Sequence, residues 1–202
     1  MEEPTIMTTE NSHKIFVTTG SSNHTSKDRS ANDLYTTDPK ALERLLEVKP
    51  LHSAVWECAC GLGHLSEVLR DNGYEVYSSD IKNYGYKHQD EELDFLSYAQ
   101  KGRANLDIVT NPPYLKALEF CAKALEIIND GYYVVMFLRL QFLEGKQRKI
   151  FFDKLPPKEI YVFSDRINCL DPFGENPKSS AICYAWFLWE KGFQGHPSIY
   201  WL

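Results

Sequence analysis

The residues of this sequence that are best suited to chemistry are Asn111-Pro112-Pro113-Tyr114, which follow the apolar run 106–110. A β-branched run that breaks into Asn-Pro-Pro is typical of a strand that stops abruptly, because proline lacks a backbone donor and fixes φ. Two consecutive prolines form a rigid support that holds an amide side chain and an aromatic ring in set positions. On their own, these four residues fit a strand-terminating turn and an active site equally well.

Two further stretches carry groups that suit ligand binding. Glu57 ends an apolar segment, and the Gly61-x-Gly63 turn that follows lets the backbone approach a ligand closely. Asp80 ends the next apolar segment, about twenty residues beyond the glycines, where a carboxylate can accept hydrogen bonds from ribose hydroxyls. A helix cap or a solvent-exposed acid is the alternative for Asp80. Glu57 could contact a ligand or accept hydrogen bonds from the turn.

Asp94-Phe95-Leu96 offers an acceptor beside two apolar groups, which suits a purine with an exocyclic amine. An ordinary helix start explains the same residues equally well. A dinucleotide fingerprint would need a third glycine where Ser66 stands, so the sequence disfavours NAD binding.

The elements that must position these groups alternate between strands and helices. Asp38 as a cap and Pro39 at the first helical position predict a helix over 39–48. Periodicity predicts strands over 54–58, 75–80, 106–110, 132–138, 159–164 and 181–189, helices over 65–71, 115–128 and 147–154, and loop with a short helix over 91–98. The pattern predicts an α/β fold, one open sheet with helices on both faces and the polar groups at the carboxyl ends of strands.

Size and composition fit one globular domain. The 202 residues are 43% hydrophobic and 25% charged, and no apolar run approaches the ~20 residues that span a bilayer. Because the N-terminus also lacks an apolar signal core, the sequence predicts a cytoplasmic protein without a membrane segment. Residues 1–30 are rich in Ser, Thr and Asn and are predicted to form a flexible arm, which leaves 31–202 as the folded domain.

Cysteine spacing and charge exclude some partners and leave others open. Cys58-x-Cys60 has no second Cys or His pair at suitable spacing, so neither a metal site nor a disulfide framework is predicted. The net charge of −6 counts against a broad surface for nucleic acid. A local basic groove is compatible with the mixed-charge cluster of Lys146, Arg148, Lys149, Lys154, Lys158 and Arg166.

In this order, the motifs resemble those of Rossmann-like, class I S-adenosylmethionine-dependent methyltransferases over residues 34–190. Residues 57–63 are similar to the first cofactor motif of that family, Asp80 to its ribose-binding acid, and Asp94-Phe95 to its adenine pocket. Residues 35–39 resemble the segment that packs against the methionine end of the cofactor. Residues 111–114 resemble the Asn-Pro-Pro-Tyr/Phe motif of enzymes that methylate planar nitrogens, above all N6-adenine DNA methyltransferases.

The resemblance implies a mostly parallel sheet of seven strands and S-adenosylmethionine as cofactor. It implies catalytic roles for Asn111, Pro112, Pro113 and Tyr114, and cofactor contacts from Tyr35, Thr36, Thr37, Glu57, Cys58, Ala59, Gly61, Gly63, Asp80, Ile81, Asp94, Phe95 and Asn111. The Asn111 side-chain oxygen and the Pro112 carbonyl would bind the two amine hydrogens and aim the nitrogen lone pair at the methyl group. Tyr114 would stack on a base flipped out of the duplex.

The acceptor that the resemblance favours is adenine in DNA. An RNA base, a protein glutamine amide, and an inactive cofactor-binding module that acts by association are the alternatives. Residues 142–148 and 184–190 resemble small phage and prophage members, and no segment is left for a separate target-recognition domain. We predict that the loop 168–180 closes over the substrate, with Phe173 as a base contact, although a disordered surface loop fits as well. The oligomeric state is left open.

Overall fold

A computed structural model describes residues 36–99, 104–167, 169–170 and 182–202 of the chain. Its strands are β1 (Thr36–Thr37), β2 (Ala54–Glu57), β3 (Glu75–Asp80), β4 (Glu91–Glu92), β5 (Asp107–Thr110), β6 (Tyr133–Arg139), β7 (Glu159–Val162), β8 (Cys169–Leu170), β9 (Tyr184–Glu190) and β10 (Ser198–Trp201). Its α-helices are α1 (Pro39–Val48), α2 (His64–Asp71), α3 (Ala117–Ile127) and α4 (Lys146–Lys154). Three 3₁₀ turns cover Phe95–Ser97, Tyr114–Lys116 and Leu140–Leu143.

Eight of the strands form one sheet in the order β10-β7-β9-β6-β5-β2-β3-β4. Every neighbouring pair is parallel except the two pairs that involve β9, which runs antiparallel to β6 and β7. The chain runs outward from β2 to β4 and then returns to the other side of β2 at β5. Such a reversal opens a crevice beyond the carboxyl ends of the two central strands, which is where ligands bind in open α/β sheets.

Both faces of the sheet are covered, as the sequence predicted. Side chains of β6 alternate between two apolar clusters: Val134, Met136 and Leu138 pack beneath α3, whereas Val135 and Phe137 pack with α1 and α2 on the other face. A strand buried on both faces must be apolar throughout, and this explains the continuous hydrophobic run of β6.

The first helix forms where the sequence predicted it. The Asp38 side chain accepts a hydrogen bond from the Lys40 backbone N–H at 3.1 Å, and Pro39 occupies the first turn. Proline is favoured there because its missing N–H has no helical partner to lose. Ala41, Leu42 and Leu45 then form the buried face of α1, which packs on α2.

The sheet has eight strands, not the seven that were expected. The segment predicted as loop and short helix contains the two-residue strand β4 before its 3₁₀ turn, Phe95–Ser97. No strand was predicted at β10. All four of its residues are exposed, so they lack the alternation of buried apolar and exposed polar side chains that marks a half-buried strand. Its pairing with β7 is what defines it. Within the described ranges, no helix is both long and apolar enough to cross a membrane.

Candidate active site

A cavity of about 560 Å³ lies beyond the carboxyl ends of β2, β3 and β5. It collects most of the residues that the sequence singled out. Its lining includes Thr37, Glu57, Cys58, Ala59, Gly61, Asp80, Ile81, Asp94, Phe95, Asn111 and Pro113. Five different segments of the chain therefore meet at one site, although they are separated in sequence by up to 76 residues (Thr37 to Pro113).

The glycine turn between β2 and α2 forms one wall of this cavity. Gly61 and Gly63 have φ values of 54° and 85°, in the left-handed region that glycine adopts without steric cost. Gly63 also packs against the Tyr86 ring, where an added Cβ would lie 2.2 Å from a ring carbon. Gly63 thus shapes the turn from behind the cavity, and only Gly61 of the pair lines it.

Asp80 is an acceptor for the glycine turn and not an exposed acid. Its side chain accepts hydrogen bonds from the backbone N–H of Gly61 at 2.8 Å and of Ile81 at 2.7 Å. Burial raises the pKa of Asp80, although these N–H groups oppose the shift. Each carboxylate oxygen can accept a second hydrogen bond, so Asp80 can hold the turn and still receive a donor from a ligand in the cavity.

Glu57 presents one satisfied oxygen and one unsatisfied oxygen. Oε1 accepts hydrogen bonds from the Thr110 hydroxyl and from the Ala59 backbone N–H. Oε2 is buried and has no hydrogen-bond partner among the residues that the structure describes. Burial raises the pKa of Glu57 to about 8, and the nearby Asp80 charge adds to the shift. The carboxyl group is therefore mostly protonated at neutral pH, with Oε2 available to a ligand.

Two more polar atoms on the cavity lining are buried without a described partner. They are the Thr37 hydroxyl oxygen and Nδ1 of His64. Burial lowers the pKa of His64, which favours a neutral ring. An unsatisfied buried polar atom is rare and costs about 1–3 kcal/mol, so three of them around one cavity indicate a polar ligand there.

None of the sequence motifs singled out His64 as a ligand-binding residue. A signal was nevertheless available, because His64 is the first helical residue after Gly63 and starts α2 at the edge of the cavity. The apolar residues Leu93 and Phe120 were missed as well, since they belong to no motif and enter the lining only through packing.

One end of the cavity is apolar and carries a single acidic acceptor. The Phe95 ring lies 5.0 Å from that of Phe120 and 5.3 Å from that of Trp56. Asp94 uses one oxygen to cap the 3₁₀ turn through the Leu96 N–H at 3.0 Å. The two interpretations of Asp94 are therefore compatible, since it starts the turn and also lines the cavity.

The Asn-Pro-Pro-Tyr stretch begins where β5 ends and lies between the cavity and a neighbouring groove. Asn111 and Pro113 line the cavity, while Pro112 is buried and is not part of the lining. Tyr114 begins the next 3₁₀ turn and lines a neighbouring groove of about 350 Å³. The Arg139 guanidinium lies over its ring, 4.6 Å from the centroid.

Some predicted residues cannot be located. Tyr35, the arm 1–30 and most of the loop 168–180, with Phe173, lie outside the described residues, and of Thr36 only the backbone is described. That backbone belongs to β1, which pairs antiparallel with β8 so that Thr37 faces Cys169 across the ribbon. The start of the predicted lid loop is therefore tied to a strand that borders the cavity.

The paired cysteines beside Glu57 are not arranged for metal chemistry. Burial raises the pKa of both Cys58 and Cys60, so both thiols are neutral near pH 7 and are poor ligands and nucleophiles. In the described part of the chain, no group of three His, Cys, Asp or Glu side chains could hold a metal ion.

No protein-family model and no curated protein matches the sequence. Solved structures do match the fold. A presumed class I S-adenosylmethionine-dependent methyltransferase from Listeria monocytogenes superposes with a TM-score of 0.52 at 12% identity, over 83% of this chain and 66% of that one. The fold is that of the class I methyltransferases.

Two further structures share the class I methyltransferase fold. A predicted O-methyltransferase from Agrobacterium tumefaciens has a TM-score of 0.57 at 13% identity, over 81% of this chain and 85% of that one. The modification subunit of a presumed type I restriction enzyme from Vibrio vulnificus has a TM-score of 0.53 at 14% identity, over 98% of this chain and 53% of that one. At these identities the similarity establishes the fold and nothing finer.

Proposed function

We infer that the protein is an S-adenosylmethionine-dependent methyltransferase that acts on a planar amino nitrogen, with N6 of adenine in DNA as the acceptor. The observation that carries this inference is the shared cavity: Asn111 and Pro113 line the same space as Glu57, Gly61 and Asp80. A cofactor-binding turn and an amide on a proline support are thereby brought within reach of one ligand.

The residues of the cavity fit the cofactor. Asp80 can accept hydrogen bonds from ribose hydroxyls, and the apolar wall of Phe95 and Phe120 suits an adenine ring. The unsatisfied atoms of Thr37, Glu57 and His64 suit the polar amino-acid end of the cofactor. When bound, S-adenosylmethionine supplies an electrophilic methyl group.

The chain's own part in transfer is to prepare the acceptor nitrogen. The lone pair of an aryl amine is delocalised into the ring and is a poor nucleophile. Asn111 would accept one amine hydrogen through its side-chain oxygen and Pro112 the other through its carbonyl, which localises the lone pair on nitrogen. No general base is needed before transfer, because the nitrogen becomes acidic only as it gains the methyl group, and its extra proton then passes to water.

The surface next to the cavity favours adenine in DNA over the other planar amines as the acceptor. The aromatic ring of Tyr114 lies beside the cavity, and cationic side chains lie along the adjoining groove, a combination that suits a base on a phosphate backbone. The modification subunit from Vibrio vulnificus, a protein with this fold that is named as part of a restriction enzyme, agrees with that preference.

The test is transfer of a labelled methyl group to DNA, RNA and cell protein in parallel. We expect label in adenine of DNA, and Asn111→Ala should abolish transfer while the affinity for S-adenosylhomocysteine, measured by calorimetry, stays within about twofold of wild type. Label in RNA or in protein glutamine would show that the acceptor is not DNA, while the proposed transfer to a planar nitrogen would stand. No affinity for S-adenosylhomocysteine would leave only an inactive, associating module.

A further inference from the structure

A groove with cationic and apolar side chains lies beside Tyr114, and we call it the α4 groove. It lies between the 3₁₀ turn Tyr114–Lys116 and the start of α4. Its lining consists of Tyr114, Leu115, Leu118, Glu119, Phe142, Gly145, Lys146, Gln147 and Arg148. Because Pro113 lines the cavity and Tyr114 lines the groove, the two spaces adjoin at the Asn-Pro-Pro-Tyr stretch.

The charge of α4 is opposite to that of the whole chain. The helix carries four cations and one acid, whereas the chain has a net charge of −6. That acid, Asp153, pairs with Lys149 at 2.7 Å. Lys146 and Arg148, which line the groove, have no carboxylate within ion-pair distance in the part of the chain that the structure describes. Neither charge is therefore neutralised by a described carboxylate, and the Arg148 guanidinium is held in place by donating to the Gln141 and Glu144 carbonyls.

Apolar side chains are exposed in the groove, where Leu115 lies, and on the elements that form it, where Leu143 and Ile150 lie. Leu115 is 79% exposed, Leu143 45% and Ile150 59%, and none of the residues of α4 is buried. Exposed apolar side chains on elements that also carry cations are unfavourable in water and favourable for binding nucleotides. Bases pack on aromatic and aliphatic side chains while phosphates contact Lys and Arg.

We propose that the α4 groove binds the DNA strand next to the target adenine, with Lys146 and Arg148 on its phosphates and Leu115 beside the flanking base. This proposal rests on the proposed function, since it assigns the path of the same substrate. An acidic protein segment would use the two charges but would leave the exposed side chain of Leu115 without a role.

The experiment measures binding of a fluorescent single-stranded oligonucleotide as salt is varied. A single strand of random sequence is used because it presents adenine without the cost of base flipping. The variant is Lys146→Gln/Arg148→Gln. The matched control is Lys87→Gln/Lys154→Gln, which removes the same charge from exposed positions outside the groove. Thermal melting verifies that both variants fold.

The expected result is a change in salt dependence that only the groove variant shows. Each phosphate contact on a single strand contributes ~0.7 to the slope of log K against log salt, so loss of two contacts reduces the slope by about 1.4. Because the two lines converge near 1 M salt, affinity at about 0.15 M should fall by roughly 10-fold. The control should keep the wild-type slope, and the groove variant should keep wild-type affinity for S-adenosylhomocysteine.

The outcomes separate this proposal from the proposed function. If wild type transfers methyl groups to the oligonucleotide and the slopes of wild type, variant and control are equal, the groove assignment is wrong and the function stands. If wild type neither binds nor methylates the oligonucleotide, both are wrong. An equal loss of slope in the variant and the control also overturns the groove assignment, because it would reflect net charge alone.

Discussion

Thr110 donates a hydrogen bond from its hydroxyl to Oε1 of Glu57, which links the last residue of β5 to the last residue of the neighbouring strand β2. Both side chains are buried, with 0% and 1% exposure. Asn111 is the next residue after Thr110. The contact therefore fixes the start of the Asn-Pro-Pro-Tyr stretch relative to the carboxyl group that offers Oε2 to the cavity.

Thr110→Val should destabilise the protein although the two side chains have nearly the same shape. The substitution removes a donor from a buried carboxyl group, and the expected loss in the free energy of unfolding is roughly 1–3 kcal/mol. Urea denaturation measures it. Thr110→Ser, which keeps the hydroxyl, should recover most of the loss. Equal stability of Thr110→Val and wild type would show that this hydrogen bond has no structural importance.

The raised pKa of Glu57 predicts that stability depends on pH. The folded-state pKa of Glu57, about 8, exceeds its ordinary value of 4.5, so between these pH values only the folded state holds the proton. The contribution is complete below pH 4.5 and is lost as pH rises through 8, at up to ~1.4 kcal/mol per pH unit. Glu57→Gln cannot titrate, so urea denaturation at several pH values should show its stability relative to wild type increasing across this window.

Proton release on ligand binding is a separate consequence of the same group. A ligand that brings an ammonium group to Oε2 favours the carboxylate, so binding of S-adenosylhomocysteine at pH 7 should release a fraction of a proton. Calorimetry in buffers of different ionisation enthalpy measures that fraction. Glu57→Gln should release none from this position. Identical proton release by wild type and variant would mean that Glu57 does not face the ligand.

Local sequence rules predicted the parts of the site that depend on backbone geometry. The strand ends, the glycine turn and the proline break each have a local cause. Glu57, Asp80 and Thr110 lie at one edge of the sheet because each is the last residue of a strand and the three strands are parallel. This arrangement follows from alternating strands and helices alone.

Features that depend on distant packing could not be predicted in this way. The exposed strand β10 exists only because β7 offers it an edge, and Phe120 reaches the cavity from the middle of a helix that looks like ordinary core. The burial of His64 Nδ1 without a partner among the described residues is likewise a property of its surroundings, although the position of His64 directly after Gly63 is visible in the sequence. Tyr114 lines the groove and not the cavity because of the 3₁₀ turn that begins at this residue, and the sequence does not show that turn.

Gly63 and Gly73 form a matched pair that separates backbone strain from steric clash. Both have a φ of 85°. A Cβ added to Gly63 would lie 2.2 Å from a carbon of the Tyr86 ring, whereas a Cβ added to Gly73 would have no atom within 4 Å. Gly73→Ala should cost about 1–2 kcal/mol, the strain of a left-handed L-residue. Gly63→Ala should cost clearly more and also weaken S-adenosylhomocysteine binding, because Tyr86 or the turn must move.

Unfolding and calorimetry on both glycine variants test this difference. Gly63→Ala/Tyr86→Leu should recover the part of the loss that arises from the ring and retain the part that arises from φ. Equal losses for the two single variants would rule out the contact between Gly63 and Tyr86 as a constraint on the turn.

Arg139 is predicted to act on the substrate through Tyr114. Its guanidinium lies 4.6 Å from the centre of that ring, and its Nε is buried without a hydrogen-bond partner among the described residues. The cation over the ring fixes the orientation of Tyr114 beside the cavity, a contact worth about 0.5–1 kcal/mol. Arg139→Gln should therefore raise KM for DNA about 2–5-fold with little change in kcat. In a double-mutant cycle with Tyr114→Ala, the Arg139 effect should vanish; strict additivity would show that the two residues act independently.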